Sequence, residues 1–167
     1  MPFFAVSDLR VNMVPDVPGL YCVKAREEAA KALSKYGSVR NDGIIYIGKA
    51  SVSLRTRLWE QELNHKSAAT FFRSIGAMLG FLPPKGSLYG KSSRNYKFNL
   101  EDTEAIREWM RQSLMVNWIP LDAGSLDSVE ESLIMEYRPL VNIEHNPSAS
   151  EALKSARKHC VEYAQNR

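Results

Sequence analysis

The sequence contains few cysteines and histidines and no long apolar segment. Its 167 residues include two cysteines, Cys22 and Cys160, and three histidines that lack the spacing of a metal site. Two cysteines do not make a disulfide framework, so a reducing cytoplasm is the expected location. No apolar run approaches the length of a membrane span, and the first residues lack the basic region of a signal peptide. We therefore expect neither feature.

The residues that are present suit an ordinary globular protein. Hydrophobic residues make up 44% of the chain and charged residues 25%, a balance typical of folded soluble domains. A chain of this length buries a sizeable core. We expect a single domain over residues 1–167, with an inserted helix at about 25–36 and a basic, aromatic insertion at about 67–113.

The charge is distributed unevenly along the chain. The formal net charge is only +3, but residues 49–97 contain nine Lys or Arg against two Glu. Residues 99–151 contain three Arg against eleven acidic residues. Such asymmetry indicates a basic face for a polyanion beside an acidic remainder. Solvated helix faces of opposite sign are the alternative interpretation.

Hydrophobic patterns predict three strands and six helices. Short apolar runs rich in β-branched and aromatic residues indicate strands at 19–24, 43–48 and 114–121. Helical spacing, capping residues and stop signals indicate helices at 25–36, 53–66, 68–82, 100–113, 125–137 and 148–164. Residues 1–18 contain closely spaced prolines and should be extended. The expected fold is α/β, with a small three-stranded central sheet flanked by helices, helical insertions and a C-terminal helix.

The stretch 43–57 contains the residue types of a phosphate site. It begins as an apolar run that includes Tyr46, turns at Gly48, and continues into a helical segment with Arg55 and Arg57. A strand that carries a tyrosine beside a helix that carries a guanidinium makes a compact site for a phosphate.

Five short elements follow one another along the chain. They are Gly19-Leu20-Tyr21, Tyr46-Ile47-Gly48, Arg57, Glu130 and Asn142. Together they resemble the GIY-YIG nuclease family over roughly residues 17–58 and 114–146. Leu20 replaces the Ile of the first motif, whereas the second motif matches as it is usually written. A single triplet is a weak signal, but five ordered elements are a specific one.

The resemblance also selects between neighbouring residues. Residues 54–58 are similar to the family's L-x-x-R-L helix start, which points to Arg57 rather than Arg55 as the catalytic arginine. The segment that begins at Glu130 resembles the corresponding stretch of the bacterial excision-repair incision subunit. That register points to Glu130 rather than Glu131 as the metal-binding acid.

The resemblance implies a metal-dependent site for phosphodiester cleavage. Glu130 would hold a single Mg²⁺ that keeps most of its waters, with Mn²⁺ as a substitute. Arg57 would contact non-bridging phosphate oxygens. Tyr21 would be the general base or its relay, a role that requires nearby cations because a free tyrosine titrates near pKa ~10.

Three further side chains would assist the reaction. Tyr46 would orient the water or the phosphate, Lys49 would stabilise a phenolate or contact phosphate, and Asn142 would steady the helix that carries Glu130. Taken singly, a strand tyrosine is more often a core residue, a helical glutamate a solvated one and an asparagine a turn former. The predicted catalytic residues are Tyr21, Tyr46, Lys49, Arg57, Glu130 and Asn142.

The basic segment after Arg57 is predicted to bind DNA. Residues 67–98 combine basic residues with tyrosines, a mixture that suits phosphate contacts and base stacking. Phe71, Phe72 and Met78 in the same segment are expected in the core. The predicted DNA contacts are Arg55, Lys66, Arg73, Lys85, Lys91, Arg94 and Lys97.

The role of the histidines is left open. Some branches of the family place a histidine one helical turn after the catalytic arginine, where this chain has Gln61. His65 lies a further turn along the helix, and His145 follows Asn142.

The expected function is Mg²⁺-dependent endonucleolytic cleavage of DNA, of a restriction-like or phage or mobile-element type. A palindromic cutter with one site per chain needs two chains or two visits, so a homodimer on DNA is an option. The alternatives are a nucleic-acid-binding module that keeps the scaffold without cleaving, and a structural or protein-interaction domain.

Overall fold

Short apolar strands build one antiparallel sheet in the structure, a computed structural model that describes residues 2–67 and 69–167. The strands follow the order β1-β4-β2-β3. Their bounds are β1 Phe4–Ala5, β2 Gly19–Ala25, β3 Ile44–Ala50 and β4 Leu114–Pro120. The α/β class is confirmed, and the sheet has one strand more than predicted. The extra strand, β1, has only two residues and therefore shows no alternating pattern.

The central strand β2 pairs with β3 on one side and with β4 on the other. In this register Tyr21 lies opposite Gly48, and Val23 lies opposite Tyr46. The antiparallel pairing therefore brings the two tyrosine motifs next to each other, although they are 25 residues apart in the chain.

The outer edge of β3 is covered by a segment from the far end of the chain. The backbone N–H of Val141 donates to the carbonyl of Ile45 at 2.8 Å. The Asn142 side chain accepts from the N–H of Ile47 at 2.9 Å and donates to its carbonyl at 2.8 Å. This amide replaces a neighbouring strand, so the exposed strand edge is closed beside Tyr46.

Helices surround the sheet. The six predicted helices are all present, and the ends of every one except that at 100–113 are shifted. Five of them are α1 Glu27–Leu33, α2 Thr70–Met78, α3 Leu100–Ser113, α4 Leu126–Tyr137 and α5 Glu151–Gln165. The sixth, Arg55–Leu63, is wound as a π-helix. Short 3₁₀ turns follow β1 at Val6–Asp8 and Val11–Met13, where extended chain was predicted. No helix in the described part of the chain is long and apolar enough to cross a membrane.

The core lies between the sheet, the π-helix and α2. The helix α2 is buried on nearly all sides, and Phe71, Phe72 and Met78 are core residues as predicted. It packs against α5 and against the π-helix. The π-helix contributes Leu58 and Leu63 to the same core. As a result, polar side chains on the buried side of the π-helix need partners inside the protein.

Candidate active site

A cavity of about 670 Å³ opens where β3, the π-helix and α4 meet. Five of the six residues predicted as catalytic line this cavity, namely Tyr46, Lys49, Arg57, Glu130 and Asn142. Tyr21 is not among the lining residues and is only 2% exposed. The fold therefore brings side chains from positions 46 to 142 together at one cavity. Tyr21 is buried next to this cavity rather than in its lining.

Lys49 and Glu130 form the charged pair of the cavity wall. The Nζ atom of Lys49 lies 2.7 Å from Oε2 of Glu130 and 2.8 Å from Oδ1 of Asp127. These hydrogen bonds, first to Asp127 and then to Glu130, raise the pKa of Lys49. The side chain of Glu130 is 13% exposed and that of Glu131 is 53% exposed. The cavity therefore receives Glu130 and leaves Glu131 in solvent.

Arg57 presents a guanidinium to the same cavity from the π-helix. Its Nη1 donates to Oε1 of Gln61 at 3.0 Å, and its Nη2 lies 3.0 Å from Oε1 of Glu62. The nearby Arg55 does not line the cavity. Its Nε donates instead to the carbonyl of Val14 at 3.1 Å. Of the two arginines, only Arg57 is both held in place and directed at the cavity.

Glu62 is a buried carboxylate that the sequence analysis counted in the charge balance but did not assign to the site. It is 0% exposed, and an unpaired carboxylate in that position would be strongly unfavourable. Its Oε1 accepts from the hydroxyl of Tyr21 at 3.3 Å and pairs with Arg57. Its Oε2 accepts from the backbone N–H groups of Phe71 at 3.0 Å and Phe72 at 3.4 Å. All four neighbours are donors, which suits an ionised carboxylate.

The same carboxylate caps α2. The residue before this helix, Ala69, has no side chain that can accept from the first N–H groups. Glu62 supplies the acceptor and a negative charge at the positive end of the helix dipole. Burial raises the pKa of Glu62, and the guanidinium of Arg57 and the two N–H groups oppose the rise. A sequence signal for this burial exists, because Glu62 follows the buried Leu54 and Leu58 at four-residue spacing.

Tyr21 and Tyr46 are neighbours at the cavity wall. Tyr46 is part of the wall, and Tyr21 lies behind it. Their ring centroids are 6.2 Å apart. The ring of Tyr21 covers Gly48, where a Cβ atom would lie 2.5 Å from the ring, so the glycine of the second motif makes room for the tyrosine of the first. Burial, followed by the charge of Glu62, raises the pKa of Tyr21 well above its usual value and also that of Tyr46. Tyr46 lines the cavity, whereas Tyr21 is connected through Glu62 to Arg57, which lines it.

Asn142 fixes β3 rather than the helix that carries Glu130. Its side chain bonds both backbone groups of Ile47, and its own carbonyl accepts from Asn146 at 3.0 Å. The sequence interpretation attached it to α4. The geometry instead makes it a clamp between the segment after α4 and the strand that carries Tyr46.

The two histidines differ in their relation to the cavity. His145 lines it, with Nδ1 3.6 Å from Oε1 of Glu131. His65 is 8% exposed and stacks on Phe72 at 4.2 Å between centroids. Neither ring nitrogen of His65 has a hydrogen-bond partner among the described residues. Burial, together with the charges of Lys97 and Arg73, lowers the pKa of His65 to about 4.

The residues predicted to contact DNA separate into exposed and buried groups. Arg55 is half-buried, and the exposed residues are Lys66, Lys85, Lys91, Arg94 and Lys97. Arg73 is only 6% exposed, which contradicts the predicted DNA contact. Its Nη1 donates to the carbonyl of Arg94 at 3.1 Å and to Oδ1 of Asn95 at 2.8 Å. Its guanidinium also lies over the ring of Tyr96 at 5.5 Å. Arg73 therefore anchors the basic loop from inside.

The carboxylates near the cavity suit a hard cation with few protein ligands better than a metal that is enclosed by several protein ligands. No cluster of three or more His, Cys, Asp or Glu side chains suited to a metal occurs within residues 2–67 and 69–167. Zinc and transition-metal sites need such clusters. Mg²⁺ is commonly bound by one or two carboxylates and keeps several waters. The donor set around Glu130 fits that type of ion.

Comparison with known proteins supplies the family. A family model described as the GIY-YIG catalytic domain matches residues 19–159, which is most of the chain. Neither the comparison with curated proteins nor the comparison with solved structures finds a match. The matched range contains both tyrosine motifs and every lining residue named above. The chain therefore belongs to the GIY-YIG catalytic domain family, and this membership supports a nuclease activity.

Proposed function

We propose that this protein is a Mg²⁺-dependent endonuclease that hydrolyses DNA phosphodiester bonds. The observation that carries the proposal is the convergence of Arg57, Lys49, Glu130 and Tyr46 on one cavity. Two cations, one carboxylate and one phenol are the groups that phosphodiester hydrolysis needs, because negative charge on the phosphate must be neutralised while a water attacks. Family membership supports the reaction class.

Arg57 is the phosphate-binding group of the proposal. Gln61 and Glu62 hold its guanidinium in a fixed orientation. A guanidinium fits two phosphate oxygens with its planar fork. Since the side chain is already placed, little reorganisation is needed when charge develops on the phosphate.

Glu130 is the residue that would hold Mg²⁺, and Mn²⁺ is the expected substitute. A bound divalent ion supplies Lewis-acid stabilisation and lowers the pKa of a coordinated water. Lys49 holds one oxygen of Glu130, which fixes the direction of the carboxylate towards the cavity. Its ammonium group also adds positive charge to the surface that a phosphate would meet.

The two tyrosines take different parts in this proposal. Tyr46 lines the cavity and is the phenol that contacts the attacking water or the phosphate. Tyr21 donates a hydrogen bond to Glu62 and lies behind the wall, so it is assigned the relay role rather than direct contact with the water. The raised pKa of both phenols is consistent with neutral hydroxyls in the resting protein.

The insertion at about 67–113 is assigned to DNA binding, within a single domain that also cleaves. Lys85, Lys91, Arg94 and Lys97 are exposed and available for backbone phosphates. The proposed type is a restriction-like or phage or mobile-element nuclease, which acts as a dimer when both strands are cut. A cytoplasmic location belongs to the same proposal.

Plasmid cleavage with two neighbouring glutamate variants tests the proposal. Supercoiled DNA should be nicked or linearised in Mg²⁺ and left intact in EDTA. Glu130→Gln should abolish cleavage, whereas Glu131→Gln should cleave like the unmodified protein because its side chain is 53% exposed. Cleavage that survives Glu130→Gln would contradict the metal assignment. DNA binding without cleavage under every metal condition would favour the non-cleaving module.

A further inference from the structure

A second arginine lines the cavity from the C-terminal helix. Arg157 lies on α5, one hundred residues beyond Arg57, and both residues belong to the cavity wall. The motifs that define the site end at Asn142, so Arg157 was not selected from the sequence. The residue is half-buried, so its guanidinium is partly withdrawn from solvent.

Arg157 has no hydrogen bond or ion pair to another residue in the described part of the chain. The acidic residues of its own helix are engaged elsewhere. Glu151 pairs with Lys154 at 2.6 Å, and Glu162 pairs with Lys158 at 3.6 Å. The guanidinium therefore faces a cavity without a carboxylate assigned to it.

Arg157 also acts on a buried cation outside the cavity wall, Arg73. Burial first, and the charge of Arg157 second, lower the pKa of Arg73. The charge of Arg157 also opposes the rise in the pKa of Tyr96 that burial causes, and the guanidinium of Arg73 lies over the ring of Tyr96. Two like charges in a partly dry region repel each other unless an anion lies between or beside them. This arrangement suits a bound anion.

Arg73 connects this region to the exposed basic loop. It donates to the carbonyl of Arg94 and to the side chain of Asn95. The side chains of Arg94 and Lys97 on that loop are exposed. Arg57 and Arg157 thus lie in the cavity wall, and Arg73 is bonded to the loop that carries Arg94 and Lys97.

We propose that Arg157 binds a second backbone phosphate of the DNA strand whose scissile phosphate lies at Arg57. The strand then leaves the cavity towards Arg94 and Lys97. A phosphodiester is the anion class that fits, because a guanidinium forks onto its two non-bridging oxygens and successive phosphates repeat along one strand. This inference rests on the proposed function and adds to it the path of the bound strand.

Salt-dependent DNA binding tests the inference without cleavage. The protein is titrated with a short duplex in EDTA at several salt concentrations. Arg157→Ala should reduce the slope of log K against log salt by about 0.9, the value for one lost phosphate contact on duplex DNA. Arg157→Lys should keep the slope, since the charge remains. Lys158→Ala is the matched control and should leave it unchanged, because Lys158 is exposed and pairs with Glu162.

A methylphosphonate scan identifies the phosphate that Arg157 contacts. One neutral methylphosphonate is placed at each backbone position in turn around the cleavage point. At one position the substitution should weaken binding by the unmodified protein and have no further effect on Arg157→Ala. An unchanged salt slope, or additive effects at every position, would overturn the inference while leaving the proposed function in place. Failure of the unmodified protein to bind DNA would overturn both.

Discussion

The carboxylate of Glu62 joins Arg57 to Tyr21. Its Oε1 lies 3.0 Å from Nη2 of Arg57 and 3.3 Å from the hydroxyl of Tyr21. The arginine comes from the π-helix and the tyrosine from the central strand, so one buried charge sets the distance between two motif residues. Its other oxygen binds the start of α2 through Phe71 and Phe72, which ties the site to the following helix.

Removal of this charge should destabilise the fold and the site together. Glu62→Gln keeps the shape but places an amide among four donors, so at least one N–H or hydroxyl group loses its acceptor. We expect a loss of roughly 2–4 kcal/mol of unfolding free energy, less than for a fully buried ion pair because Arg57 is partly solvated. Urea unfolding measures it. Glu60→Gln on the same helix is the control and should cost under about 0.5 kcal/mol, since Glu60 pairs with Lys66 at the surface. Equal effects of the two variants would contradict the role given to Glu62.

Acidification should lower the free energy of unfolding because His65 becomes protonated. The folded-state pKa is lowered to about 4 from an ordinary value of 6.5. The unfolded chain therefore takes up a proton first as the pH falls, and stability is lost between about pH 6.5 and 4. The expected contribution is roughly 3 kcal/mol. Urea unfolding at a series of pH values measures it.

Two histidine variants separate this contribution from other acid effects. His65→Asn suits the positive φ of 50° at this position and removes the titrating ring. It should flatten the pH dependence relative to the unmodified protein. His159→Asn, at an exposed position on α5, should leave it unchanged. An unaltered pH dependence in His65→Asn would show that His65 is not the sensitive group.

Loss of the Asn142 amide should open the edge of β3. Asn142→Ala leaves the N–H and carbonyl of Ile47 without their side-chain partner. We expect a cost of about 2 kcal/mol and faster hydrogen exchange at the Ile47 amide. Asn142→Asp keeps an acceptor for the N–H and should preserve more of the protection than Asn142→Ala. Unchanged exchange at Ile47 in both variants would contradict the clamp.

The strands and capped helices followed from local sequence. The helix α3 begins and ends as predicted, because Asn99 accepts from the N–H of Asp102 at 2.7 Å and acidic residues occupy the first turn. The strands β2 and β3 carry β-branched and aromatic residues between turn signals, and their pairing follows from the motif order. Strand patterns and helix-capping residues were therefore sufficient to predict the strands and helices that carry the site.

Features that are stabilised by distant partners were not predicted from the sequence. Glu62 is buried because Tyr21, 41 residues away, and the start of α2 supply donors. Arg73 was assigned to DNA because basic residues interleaved with tyrosines suit phosphate contacts and base stacking. It is buried because Arg94 and Asn95 accept its hydrogen bonds and Tyr96 covers its face. Arg157 reaches the cavity only through the packing of α5 on α2.

The most direct test compares two arginines of one helix by single-turnover DNA cleavage in Mg²⁺. Arg57→Ala removes the guanidinium that lines the cavity, and Arg55→Ala removes one that binds Val14 instead. We expect Arg57→Ala to lower the cleavage rate by about 10²–10³, because a fixed charge-stabilising group is lost. With protein in excess, so that any contribution of Arg55 to DNA binding is saturated, Arg55→Ala should stay within a few-fold of the unmodified rate. Equal rates for the two variants, or a larger loss in Arg55→Ala, would contradict the assignment of this cavity as the cleavage site.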